Sequence, residues 1–183
     1  MAKAVLISIR PEWVEKIAHG GKTIEVRKTK PYLDTPFKCY IYCTNTRPFL
    51  VWGDVFRGDW VTEFTRLSGY GRAAADRLWD VFNGHVAGEF LCDRVEAIKA
   101  AKEPYGIYDV DDDFVAQTRL VDGALWDYGK GATLYGWHIS KLQIYDTPKS
   151  LSEFKGLRKT KFGAEPMEIK RAPQSWCYVE ELK

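Results

Sequence analysis

The sequence predicts one α+β domain, built mostly of strands with short helices at its periphery. Three observations carry that reading. Strand-like runs recur from the first residues to the last, helical spacing is confined to a few short stretches, and one aromatic-rich segment at residues 45–84 interrupts the pattern. With 183 residues the chain can bury one sizeable core and is short for two. Residues 1–183 are therefore expected to form a single domain, with 45–84 an insertion packed on it. A composition of 45% hydrophobic and 28% charged residues excludes wholesale disorder, because it offers enough apolar surface to offset chain entropy. No apolar run approaches the roughly 20 residues that span a bilayer. The expectation is a cytoplasmic protein with no membrane partner.

The elements follow in order. Lys3–Ile9 is rich in β-branched residues and reads as a strand buried on both faces; Arg10 and Pro11 end its apolar stretch too early for a signal peptide. Pro11 suits the first turn of a helix, and Trp13, Val14 and Ile17 recur behind it at helical spacing, which turns Trp13 towards the core. His19, Gly20 and Gly21 stop that helix. Residues 23–27 then alternate, with Ile24 and Val26 on one face and Thr23, Glu25 and Arg27 on the other, the pattern of a half-buried strand. Residues 38–44 read as a third strand. Inside the insertion, residues 72–82 read as a helix closed by Asn83 and Gly84. Val86–Ile98 resumes strand character. The acidic stretch 109–113 is expected at the start of a short helix, where carboxylates favour the positive end of the dipole. It lacks the alternating ligands, the glycine and the final glutamate of an EF-hand. Residues 132–145 read as a long strand with Gly136 at a bulge or bend, ended by Thr147 and Pro148. Ser150 and Glu153 suit a capped turn, residues 155–171 a basic surface loop, and residues 175–179 a last strand.

Net charge is only +2, yet it is unevenly placed. Residues 1–47 hold nine Lys and Arg against four Asp and Glu, residues 48–152 eleven against sixteen, and residues 153–171 six against three. Basic ends around an acidic middle suit a barrel whose terminal strands meet and present a basic face to phosphates. Solvated lysines without a partner are the plain alternative. The four cysteines, Cys39, Cys43, Cys92 and Cys177, form no CxxC pair and sit in apolar or strand-like runs, so they are expected as buried thiols. Neither a metal nor a cofactor is expected.

Three pieces of sequence together resemble the ASCH family. The first is the strand and Pro-started helix followed by Gly20/Gly21, Lys22, Glu25 and Arg27, a G-x-K-x-x-E-x-R pattern. The second is the late strand from Gly136 through Trp137, His138 and Ile139, leading to Tyr145, Thr147, Pro148 and Phe154. The third is the ending Ala172, Pro173, Gln174, Ser175, Trp176. The likeness covers most of the chain outside 45–84 and is similar to the versions carried by phages and prophages. It implies a PUA-like, mostly antiparallel β-barrel with peripheral helices and an inserted helical and loop segment. It also implies a cleft for RNA or a nucleobase.

In that cleft the resemblance assigns nucleic-acid binding to Lys22, Glu25, Arg27, Lys28, Gln174, Ser175 and Trp176. Lys22, just after a helix stop, would meet phosphate at the rim, while the paired Glu25 and Arg27 could read a base edge. A structural ion pair between Glu25 and Arg27 is the competing account, as core packing is for Trp13 and for His138. Trp176 could stack on a base. Some relatives hydrolyse acetylated cytidine nucleosides and others are described as ribonucleases, which makes Lys22 and Glu25 candidate catalytic groups. The amidohydrolase pattern wants threonine where this chain has Glu25; the nearest threonine, Thr23, is out of step by one residue. RNA or nucleoside binding therefore leads, a small hydrolase of N4-acylated cytidine or RNA comes second, and a protein-interaction module using 45–84 comes third.

Overall fold

The computed structural model describes residues 2–52, 64–67, 81–102, 106–120, 123–161 and 163–182. Strand β1 (Lys3–Ile9) lies at the heart of it. It pairs in parallel with β3 (Phe37–Cys43) and antiparallel with β10 (Trp176–Glu180). Its alternation fills two cores. Val5, Ile7 and Ile9 join Ile41, Phe90 and Trp137 on one side, and Ala4 and Leu6 join Tyr40, Phe154 and Val179 on the other. Burial on both faces is what its continuous apolar run requires, and each such aliphatic side chain contributes ~1.5–3 kcal/mol relative to exposure.

Around this centre runs an eight-stranded sheet in the order β2-β7-β6-β3-β1-β10-β8-β9, antiparallel at every neighbour except β1–β3. The outer members are β2 (Ile24–Arg27), β7 (Leu134–Lys149) and β6 (Val86–Ile98) on one side, and β8 (Lys155–Thr160) and β9 (Gly163–Glu168) on the other. The fold is the expected α+β, mostly antiparallel architecture. Its sheet is nevertheless open: β2 and β9 end it without pairing to each other.

Three local expectations change. Residues 155–171 contain a regular hairpin, β8–β9, in register from Lys155↔Glu168 to Thr160↔Gly163. Its β9 strand is exposed throughout, so no apolar alternation advertised it. Strand β7 continues through Thr147 and Pro148 to Lys149, at the outer end of its pairing with β6. Gly136 stands in regular register opposite both Val26 and Glu96; the shifts fall instead in β6, around Gly88 and between Cys92 and Val95. Gly136 is small because the Phe114 ring packs there, 2.9 Å from where a Cβ would be.

Among the described residues three α-helices flank the sheet: α1 (Pro11–Ala18), α2 (Asp112–Thr118) and α3 (Ala124–Gly129). Gly20 at φ +70° ends the turn after α1. Asp111 caps α2, its carboxylate accepting from the Phe114 N–H at 2.7 Å, and Asp112 and Asp113 fill the first turn as anticipated. Of the 45–84 segment, β4 (Phe49–Trp52) and β5 (Phe64–Leu67) form a two-stranded sheet, and Leu50 and Phe82 enter the main core. Buried Asn83 ties the segment down, donating to the Thr46 and Pro48 carbonyls and accepting from the Leu50 N–H. The helix expected over 72–82 falls almost wholly outside the described residues.

Candidate functional site

The G-x-K-x-x-E-x-R segment runs along β2, the edge strand, and its two faces do different things. Ile24 and Val26 pack with Phe114, Leu125 and Leu134 beneath α2 and α3. Glu25 and Arg27 face the other way, and with Lys22 they form the floor of a cleft of about 600 Å³. All four residues of β2 are buried, not every second one, because neighbouring elements wall in the polar face as well.

Trp13 of α1, Thr44 and Thr46 beyond β3, Tyr128 of α3, Arg10, and Gln174 with Ser175 line that cleft. Two backbone ties hold the last wall in place. Ser8 Oγ donates to the Pro173 carbonyl at 2.6 Å, and the Ser8 N–H donates to the Ser175 carbonyl at 2.9 Å.

Lys22, Glu25 and Arg27 are 3%, 7% and 9% exposed, which decides that they form a buried cluster and not a surface pair. Glu25 Oε2 lies 3.3 Å from Lys22 Nζ, and Glu25 Oε1 lies 3.0 Å from Arg27 Nη2. Lys22 Nζ also donates to the Ile24 carbonyl at 2.8 Å and to the Thr118 carbonyl at 2.7 Å. Its three ammonium protons therefore each have a protein acceptor. Lys22 lies at the floor of the cleft, where it ties Glu25 to the C-terminal end of α2, and does not reach out from the rim as the sequence suggested. Burial lowers its pKa, opposed by the nearby Glu25 carboxylate; Arg27 and Lys16 lower it further.

Arg27 is differently placed. Its Nη2 donates to the Ser8 carbonyl at 2.7 Å, but its Nε is buried with no hydrogen-bond partner among the described residues. The triad thus carries one net positive charge and one unmet donor. Glu25 keeps lone pairs beyond those its two cations occupy.

The other expected site residues divide. Gln174 and Ser175 line the cleft with the triad. Lys28 is exposed and reaches the rim over the Tyr128 ring, 4.9 Å from its centroid. Trp176 does not line the cleft. Its indole Nε1 donates to Thr29 Oγ1 at 3.0 Å, and its ring packs between Trp137 and Tyr178 at 5.9 and 5.3 Å. Thr23 also turns away, donating to Gln117 Oε1 at 3.0 Å. His138 is hydrogen bonded to Glu96 at 2.7 Å and to Arg94 at 3.3 Å, as a satisfied strand histidine.

Sequence reasoning missed the cleft role of Trp13, which packs on the main core and also forms a cleft wall, with Lys16 Nζ 4.4 Å and Lys22 Nζ 5.2 Å from its ring centroid. It also missed Arg10, Thr44 and Tyr128, whose convergence depends on tertiary folding.

The crystal structure of ASCH from Zymomonas mobilis aligns with 97% of this chain and 88% of its own, at 14% sequence identity and a TM-score of 0.50. A serine-to-alanine mutant of the same protein aligns over 97% and 89%, at 14% identity and a TM-score of 0.51. No protein-family model matches this chain, and no curated protein matches it in sequence. At such identity the likeness is one of fold. The chain has the α+β fold of the ASCH proteins, with the triad on its edge strand.

Proposed function

We propose that the cleft binds a nucleobase of RNA, with the Arg27 guanidinium donating to a base or phosphate oxygen and Glu25 accepting from an exocyclic amine. The observation that carries this reading is the Glu25–Arg27 pair at 3.0 Å in the cleft lining, a guanidinium beside a carboxylate with spare lone pairs. A donor beside an acceptor matches a base edge better than it matches a bare phosphate. Gln174, Ser175 and the hydroxyls of Thr44 and Thr46 supply further polar partners, Trp13 and Tyr128 an apolar wall, and Lys28 a charge at the rim. Lys22 acts through Glu25, whose orientation it holds.

Titration with nucleosides and short single-stranded RNA tests the reading. Arg27→Gln and Glu25→Gln are each expected to lower affinity at least about tenfold, near 1.4 kcal/mol. Unchanged affinity in Arg27→Gln removes the proposal. A hydrolase of N4-acylated cytidine or RNA is the second reading, favoured by the lowered pKa of Lys22 beside Glu25 in a cleft. Chromatography after incubation with either substrate decides it, and turnover indifferent to Lys22→Met eliminates it. Thr23 does not line the cleft, which takes away the nucleophile of the amidohydrolase pattern.

The single-domain reading over 1–183 is supported by Leu50 and Phe82 in the main core. The phage or prophage setting rests on the sequence likeness alone, and the cytoplasmic location on the short apolar start, the lack of a long apolar run and the unpaired cysteines of the sequence. Among the described residues no helix is long and apolar enough to cross a membrane.

A further inference from the structure

Beside the cleft lies a second depression, about 720 Å³, that the first reading does not use. It runs under the β8–β9 hairpin. Leu157, Met167, Ile169 and Tyr178 make its floor, and Lys170 and Arg171 its margin. Gln174 lines both this groove and the cleft, so the two are adjacent along residues 170–175.

Three features say what kind of ligand fits. The first is charge. Residues 155–171 carry Lys155, Arg158, Lys159, Lys161, Lys170 and Arg171 against Glu165 and Glu168. Among the described residues only Arg158 of those cations is ion-paired, with Glu165 at 3.4 Å. The second is aromatic exposure. Tyr32 is 93% exposed, and its backbone N–H donates at 2.7 Å to the hydroxyl of Tyr178, a residue of this groove. A bare aromatic ring beside unpaired cations is the pairing that single-stranded nucleic acid uses, stacking a base on the ring and setting its phosphates on the charges. The third is alignment. Of the four large hydrophobic residues exposed among the described ones, Met167 lines this groove, Tyr32 is bonded to its Tyr178, and Tyr128 lines the cleft.

We infer that the groove under β8–β9 is a second nucleotide-binding surface, continuous with the cleft through Gln174. The ligand is then a single-stranded RNA that crosses both, and not a free nucleoside. This rests on the cleft reading and extends it. One base enters the cleft while flanking nucleotides lie along residues 170–174, with Tyr32 stacking and Lys170 and Arg171 meeting phosphates. Glu168 is the one carboxylate in the lining and sets the groove's margin against the strand.

Fluorescence anisotropy with labelled oligoribonucleotides of two and eight nucleotides tests the extension. The longer strand is expected to bind the native protein at least about tenfold more tightly, a gain larger than one terminal phosphate provides. In Lys170→Ala/Arg171→Ala that gain collapses, and the slope of log affinity against log salt for the octamer falls by about 1.4, or ~0.7 for each lost phosphate contact. Tyr32→Ala lowers octamer affinity about fivefold or more without changing the salt slope. Equal affinity for the two lengths overturns the proposal, and so does a length gain that survives the double variant. Arg27→Gln separates the two readings: dinucleotide binding that survives it removes the cleft assignment, whereas the length comparison bears on the groove alone. All three groove residues are exposed, so the fold is expected to survive their replacement.

Discussion

Glu25→Gln is the sharpest probe of the buried triad. The substitution keeps shape and hydrogen-bonding capacity while deleting the one negative charge between Lys22 at 3.3 Å and Arg27 at 3.0 Å. Both cations then remain in a site where no residue of the three is more than 9% exposed. Removing one partner of a buried ion pair costs ~3–5 kcal/mol, against a total stability of roughly 5–15 kcal/mol. For a domain of this size each kcal/mol lowers the midpoint by about 2–4 °C, so the variant should melt roughly 6–20 °C below the native protein. Circular dichroism during heating, with urea denaturation alongside, reads both quantities. The deficit should narrow in alkali. Burial lowers the Lys22 pKa, so its desolvation cost is full below the folded pKa and relieved as pH rises towards the ordinary 10.5. Replacing the set together, as Lys22→Met/Glu25→Leu/Arg27→Met, should be milder than Glu25→Gln alone, because no charge is left unpaired. A Glu25→Gln midpoint within about 2 °C of native would refute the reasoning, since that is the response of a solvated pair.

Other expectations follow from burial. The Cys92 thiol is pushed up from 9.0 to about 12 by burial first and by Asp93 next, so the native state keeps a proton that the unfolded chain loses. Stability should therefore fall as pH rises from 9 towards 12, by up to ~1.4 kcal/mol per pH unit for that thiol, and urea midpoints at stepped pH should show a shallower fall in Cys92→Ala. Gly88→Ala should cost about 3 kcal/mol or more by thermal melting, because its Cβ would lie 2.3 Å from the backbone oxygen of Gln143, which cannot rotate away. Asn83→Ala should cost ~2–4 kcal/mol in urea denaturation, since it leaves the buried Leu50 N–H and the Thr46 and Pro48 carbonyls without their partner.

Residues whose role is local were legible in the sequence. β1, α1 and Val86–Ile98 follow from apolar runs, from Pro11 and from Gly20, and each element stands where its pattern put it. The capping box at Ser150 and Glu153 was equally readable. The β8–β9 hairpin was not, because both faces of β9 meet water and no alternation records the pairing. For the site, spacing put Glu25 and Arg27 on one face, as they are. Spacing could not show that Lys22 donates to the Thr118 carbonyl, 96 residues away, as well as to the neighbouring Ile24 carbonyl. Strand alternation over 175–179 did, by contrast, carry the separation of Ser175 from Trp176, which lie on opposite sides.

Strand β10 sits between β1 and β8, and the cleft wall formed by Pro173, Gln174 and Ser175 is fastened to Ser8 just ahead of it. The seam joins parts of the chain 165 residues apart. On a translating ribosome β1 emerges long before β10 and waits with one edge unpaired until residues 176–180 leave the exit tunnel. Such long-range closure is slow, and the waiting edge is the place where a nascent chain would meet another strand or a chaperone. The cleft wall is thus completed only once residues 173–175 have followed residues 1–47 out of the tunnel. A ribosome stalled before residue 173 would display a chain that holds Lys22, Glu25 and Arg27 yet lacks the wall that turns them into a pocket.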